Sequence, residues 1–278
     1  QSYSVNGFGS RWDNVGVMVN RGAELAVNAD IIRTTDWTWN INANASYNYN
    51  EITELYNGIT EYEMAGTSTK LVVGHSYGEF YVNRYAGVNP ANGDALWYTK
   101  EGELTTEYNE ADKVLVGKNY MAPWQGGFGT SLTWKGLSIS AQFSWVADRW
   151  MFNNDRFFEE SNGLYTVYNQ SRRLLYDRWK KPGDVTDIPR YGITPQMDSR
   201  FLEDASFLRL KNVTISYNFP QKWLEKTKFL TGARIYAQGQ NLLTFTKFSG
   251  IDPESSSNVY AAQYPMSKQY TFGLELAF

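Results

Sequence analysis

The chain has 278 residues, a net charge of −3 and no cysteine, which excludes a disulfide framework, a thiolate metal site and the basic surface that a nucleic-acid partner demands. Mean hydropathy is −0.49 and no run of 18 apolar residues occurs, so a membrane-crossing helix is excluded. Aromatic residues make up 16% of the chain, a high fraction, so the positions of Trp, Tyr and Phe along each segment are informative.

The opening stretch, QSYSVNGFGSRW, has neither a charged n-region nor an apolar h-region, so no signal peptide is expected. In residues 22–32, Ala23, Leu25, Val27, Ala29 and Ile31 alternate with Glu24, Asn28 and Asp30. Successive side chains of a strand point to opposite faces, so this is a strand with two unlike faces. After RTTD (33–36) comes WTWNINANASYNYN, residues 37–50. Trp37, Trp39, Ile41, Ala43, Ala45, Tyr47 and Tyr49 share one parity, and Thr, Ser and Asn hold the other throughout. Soluble strands usually run about five or six residues, whereas a tilted membrane-spanning strand needs about 9–11. A face built from asparagines is a wet face. Aromatics at both ends with small alanines between is the order of an interfacial girdle.

A long connection comes next, 51–123, with turn signals Asn89-Pro90 and Asn92-Gly93 in GVNPANGDALWY (87–98). Alternation returns in 124–134, where Trp124, Phe128, Leu132 and Trp134 oppose Gln125, Ser131 and Thr133. Lys135-Gly136 turns the chain into 137–147, where Leu137, Ile139, Ala141, Phe143, Trp145 and Ala147 oppose Ser138, Ser140, Gln142 and Ser144. A second long connection, 148–206, contains LYTVYNQSRRLLYDRW (164–179). It predicts a short helix halted by Pro182 and Gly183, with Tyr168, Leu175 and Trp179 as its apolar stripe. In 213–219, Val213, Ile215, Tyr217 and Phe219 share a face, but Leu208 and Leu210 sit on the other parity, which predicts a bulge near Lys211. The turn Pro220–Leu230 leads to a blurred strand, 232–245. A third long connection, 246–268, precedes QYTFGLELAF (269–278).

Seven strands result, joined by connections that are alternately short and long. Long loops on one side and short turns on the other is the asymmetry of outer-membrane barrels. The fold class is therefore all-β: a transmembrane antiparallel β-barrel segment with long extracellular loops and a periplasmic carboxyl terminus. Trp37, Trp39, Ile41, Tyr47, Tyr49, Leu137, Ile139, Phe143, Phe272, Leu274 and Leu276 are expected to face lipid, and Trp145 shares their parity.

No catalytic, metal or cofactor site is expected. His75 is the only histidine and has no cysteine to join it. Glu159 and Glu160 are adjacent and read as a solvated loop pair rather than a glycosidase dyad. The glycines of QGGFG do not open a strand-to-helix turn, so no phosphate cradle is read. Trp97, Tyr98 and Trp150 lie in long loops and are the candidate ligand-stacking residues. The residues alone leave open a transporter wall, a passive porin, and a soluble glycan-binding or glycosidase β domain. Strand length and turn asymmetry count against the soluble domain, and detergent dependence separates it from both others.

The order of motifs resembles the C-terminal third of a SusC-like TonB-dependent transporter of the Bacteroidetes outer membrane. The resemblance lies in NRGAELAVNADIIRTTDWTWNINANASYNYNEIT (20–53), FYVNRYAGVNPANGDALWY (80–98), RWKKPGDVTDIPR (178–190), DSRFLEDASFLRLKNVTISYNFP (198–220), YAQGQNLLTFTKFSGIDPE (236–254) and the aromatic carboxyl terminus. It covers essentially the whole chain. The family implies a barrel of about 22 strands around a plug, with residues 1–278 as its C-terminal portion and the plug and earlier strands elsewhere. It implies active import of glycan oligosaccharides or peptides, a SusD-like lipoprotein partner, and coupling to the TonB complex through the missing N-terminal part. Membrane lipid and the remainder of its own barrel are further partners; nucleic acid is not. Resemblance to other outer-membrane barrels also makes Phe278 an assembly signal.

Overall fold

The computed structural model describes residues 16–64 and 66–278; the opening stretch weighed as a signal peptide lies outside them. Seven long strands form one sheet: β1 (Gly16–Arg33), β2 (Trp37–Leu55), β3 (Trp124–Trp134), β4 (Leu137–Ala147), β5 (Phe207–Asn218), β6 (Gly232–Thr246) and β7 (Gln269–Ala277). Spatial order equals chain order, and every neighbouring pair is antiparallel. The predicted strands are all present. β2 and β5 extend beyond their alternating segments at the ends that lead to or from a long loop, and β1 begins at Gly16, ahead of its alternating segment. At the far end of β2 alternation fails because the polar face is covered: Asn50 and Ile52 are both buried, and residues 74–77 of the first loop bond to them.

Register joins the strands into one pattern. Ala43 sits between Val27 of β1 and Phe128 of β3, and Phe128 pairs with Phe143 of β4. Lys211 has no partner between Asn212↔Gln142 and Leu210↔Phe143, so the bulge falls at the predicted residue. The same residue explains the blur in β6. Leu210 pairs with Leu243 and Asn212 with Gln240, so Lys211 faces two residues, and Asn241 takes a left-handed φ of 52° to absorb the mismatch.

The long connections are built, not loose. Residues 56–123 hold a four-stranded sheet and the hairpin Arg84–Val88/Ala95–Tyr98, whose turn closes through Gly93 N–H to the Asn89 carbonyl (2.8 Å). In a three-stranded sheet, Trp150–Asn153 runs between Leu202–Asp204 (antiparallel) and Val259–Tyr260 (parallel), which ties the second loop to the third. Phe80, Phe152, Phe157, Phe201 and Leu202 form a core shared by the first two loops, and Val259 of the third packs against it. Buried apolar area of this kind offsets the entropy of ordering so much chain.

The helix predicted over 164–179 is a correction. Only Arg173–Tyr176 is helical there. Tyr168 and Leu175 are exposed, and Trp179 instead packs on Gly93 of the first loop, donating its indole N–H to the Pro90 carbonyl (3.2 Å). The apolar residues at helical spacing serve different neighbours. A six-residue helix, Asn154–Glu159, lies upstream, capped by Asn153, whose side chain accepts from Arg156 N–H.

Candidate transport surface and loop cleft

The two faces of the wall differ throughout. On the polar face, Asn40 Nδ2 donates to Asn28 Oδ1 (2.7 Å) and Asp30 Oδ1 (3.0 Å). Thr133 and Ser138 hydroxyls are 2.9 Å apart. Toward the short turns, Ser131, Ser138, Ser140, Thr214, Ser216 and Arg234 line a concavity of about 300 Å³. Hydroxyls and amides can exchange partners with water at little cost, so this face is suited to contact with water. Gly273 leaves room on it for the Tyr236 ring, which a β-carbon there would strike.

On the other face the residues predicted to meet lipid stand together. Leu137 pairs with Tyr217, Ile139 with Ile215, Ala237 with Phe272 and Ile235 with Leu274. The face is exposed: Leu25 is 66%, Phe272 80% and Leu274 61% accessible. Its aromatics form two bands. Trp37 stacks on Trp134 at the short-turn edge (centroids 5.5 Å apart), and Tyr47 packs on Trp124 at the loop edge (4.5 Å). Trp145 lies over Gly126.

Among the loops, the second and third enclose a cleft of about 620 Å³ whose lining includes Arg156, Glu160, Arg173, Asp187, Glu203 and Lys247. Glu160 is the hub. It is 1% exposed and bonds Arg156 Nε (2.9 Å), Arg173 and Arg200. Arg156 also reaches Asp187 (2.8 Å) and Glu203 (3.1 Å), and Arg173 reaches Asp187 (2.7 Å). Burial pushes the Asp187 carboxyl up, but hydrogen bonding and charge from Arg173, then Arg156 and Arg200, hold it below the usual carboxylate range. The solvated reading of Glu160 is thereby corrected: three arginines repay its desolvation. Among the described residues its neighbour Glu159 has no such partner, and burial, then Asp155 and Glu160, raise its pKa. A signal was available in the several arginines of 148–206, but spacing alone does not say which carboxylate they surround.

A second buried carboxylate joins the first two loops. Asp198 accepts from Trp97 Nε1 (2.7 Å) and from the Arg200 N–H (2.9 Å). Burial pushes it up to about 6, against those two bonds and the arginines nearby. The three ligand-stacking candidates are not brought together. Trp97 is 6% exposed and its N–H is committed to Asp198. Tyr98 lies at the surface with Arg84 over its ring (5.4 Å), and half-buried Trp150 carries Lys118 over its ring (3.9 Å). None of them lines the cleft. Phe278 is exposed and stacks on Phe229.

The third loop folds back onto the polar face. Buried Arg209 of β5 binds Asp252 (2.5 Å) and Glu254 (2.8 Å), and Lys211, the bulged residue, binds Glu254 (2.8 Å). The bulge thus turns a cation toward the loop that crosses the wall.

Comparisons with known proteins agree with this geometry. No family model matches the chain. The chain is 30% identical over 282 residues to the "TonB-dependent receptor SusC" of Bacteroides thetaiotaomicron, covering 95% of this chain and 27% of that protein. It is 28% identical over 306 residues to the "TonB-dependent receptor P3" of Formosa agariphila, covering 98% and 30%. Among solved structures it superposes on one described as "Structure of the RagAB peptide transporter" with a TM-score of 0.92 and 38% identity, covering 100% of this chain and 31% of that one. The chain spans about a third of the length of the relatives it matches.

Proposed function

We propose that this chain, which belongs to the SusC-like TonB-dependent receptors, is seven consecutive wall strands and three outer loops of an active nutrient importer in the outer membrane. The observation that carries the reading is the sheet itself. Seven strands in unbroken register present one exposed apolar face bounded by aromatic bands and one face of hydroxyls, amides and ions. That is the cross-section of a wall between lipid and a wet passage. β1 and β7 each have a free edge within the sheet. A strand edge cannot be left open in hydrocarbon, so the remaining strands of the same receptor close it, around a plug.

The short turns face the periplasm and the three loops face outward. No bond is made or broken by this segment; its task is to hold the passage and shape its mouth. The loops carry exposed Tyr62, Tyr168, Tyr191 and Tyr264, a composition suited to a protein interface, and the partner is a surface lipoprotein of the SusD kind. The cargo is an oligomeric nutrient. Peptides are favoured over glycans because the 38% identical structure is a peptide transporter and because the cleft offers both cations and carboxylates. Co-purification of the intact receptor from native membranes in mild detergent tests the partner. A lipoprotein that accompanies the native receptor and is lost when 148–206 is shortened supports the reading; its absence from the native preparation overturns it.

A further inference from the structure

The two edges of the wall carry opposite charge. Segment 51–123 holds eleven Asp and Glu against five Lys and Arg. The turn between β5 and β6 holds Lys222, Lys226 and Lys228 against Glu225 alone. All three lysines are exposed, and among the described residues none has a carboxylate within ion-pair distance. The turn is also internally hydrogen-bonded. Gln221–Leu224 forms one helical turn with Leu224 buried, Thr227 Oγ1 donates to the Leu224 carbonyl (2.7 Å) and accepts from Leu230 N–H (3.1 Å), and Lys228 closes it at a left-handed φ of 64°.

Aromatic side chains carry the apolar face onto this turn. Tyr217, which pairs with Leu137 on the apolar face, is 5.3 Å from Phe219, and Phe219 is 6.2 Å from Trp223. Trp223 is 56%, Phe229 62% and Phe278 79% exposed. Along the same edge, Lys135 sits 6.0 Å from the Trp134 ring that stacks on Trp37. Lysines beside exposed aromatics at the rim of an apolar band match the boundary where acyl chains give way to phosphates.

We propose that this edge is a docking surface for the phosphates of anionic glycerophospholipids, held by Lys222, Lys226 and Lys228 with Trp223 and Phe229 seated at headgroup level. The proposal rests on the reading that the apolar face meets lipid, and adds which headgroup it selects and where. Charge complementarity points to this edge rather than the acidic loop edge, and so to glycerophospholipid rather than the phosphorylated lipid of the outer leaflet.

The test is native mass spectrometry of the intact detergent-solubilised receptor, titrated with phosphatidylglycerol and phosphatidylethanolamine of identical acyl chains. The native protein should retain phosphatidylglycerol in preference by roughly tenfold, and the K222Q/K226Q/K228Q variant should retain the two equally. Lys→Arg changes at the same three positions should keep the preference, as should K100Q/K180Q/K181Q in the loops. Equal retention of both lipids by the native protein overturns the proposal while leaving the membrane reading intact; a receptor that needs no detergent overturns both. Preference unchanged in the triple Gln variant, or displacement of phosphatidylglycerol by inorganic phosphate or by lipid A at equal concentration, also overturns it. If the Gln variant fails to assemble, the native comparison still decides.

Discussion

Replacing Ala43 with arginine puts the membrane reading at its greatest risk. A strand rising about 3.3 Å per residue and tilted about 40° covers about 25 Å of the bilayer normal in ten steps, the height of the apolar band of an outer-membrane barrel. Ten steps separate Trp37 and Tyr47, the residues that take part in the two aromatic bands. Ala43 is six steps from one and four from the other, which places it about 2.5 Å from the midplane. Its neighbours are Val27 and Phe128, so no anion waits for the new charge. Arginine there should cost about 2–4 kcal/mol, or about 30- to 700-fold in the folding equilibrium at 1.4 kcal/mol per tenfold. Asn44→Arg is the control one residue away. It points to the polar face, where Gly127 stands opposite and leaves space, and it should be tolerated. The assay is the amount of heat-modifiable receptor in the outer-membrane fraction, with a thermal midpoint for each variant. Equal yields and midpoints for the two substitutions would refute the assignment of faces.

Two further outcomes are expected in the loops. Glu160→Ala strips three arginines of a shared carboxylate, one of them 4% exposed, and should destabilise the loop cluster by about 3–5 kcal/mol; faster amide exchange across 148–206 in the intact receptor is the readout. Asp198 has a folded pKa of about 6, above its ordinary 3.8, so the native loops hold its proton more tightly than the unfolded chain does. That contribution is fully present below the ordinary value and is lost as pH rises from about 4 through about 6. Asp187 runs the opposite way, so the comparison with Asp198→Asn isolates the effect: exchange protection around Trp97 should fall over that window in the native protein and less in the variant.

The wall was legible because its physics is local. A face that meets one medium forces every second residue to suit it, so Trp37–Tyr49 could be read without a neighbour in view. Even the bulge at Lys211 was visible, since Leu208 and Leu210 had to reach the same apolar face from the wrong parity. The loops were not legible for the opposite reason. Trp97 and Asp198 are about a hundred residues apart, and their bond answers to no spacing rule. Tyr168, Leu175 and Trp179 mimic a helical stripe, yet Trp179 is held by a glycine of another loop. Glu160 looks like any surface acid until three arginines from separate turns converge on it.

That division bears on how the mouth of the passage works. Loops amounting to well over a third of the chain would cost about 1–2 kcal/mol of backbone entropy per residue if ordered only when a partner arrived. Here the ordering is already done, by a core shared among all three loops, by the Asp198 and Glu160 hubs, and by the strand pairing of Trp150–Asn153 with both flanks. A partner seated on such loops meets a preformed surface, so its binding energy is not consumed in folding them. The Arg209–Asp252 pair is where that rigid mouth is fastened to the wall. A change in how the third loop lies over the polar face must pass through this buried pair, and separating it exposes a charge on each side. Displacing that loop from the wall therefore costs the unpairing of two buried charges, which holds it over the polar face.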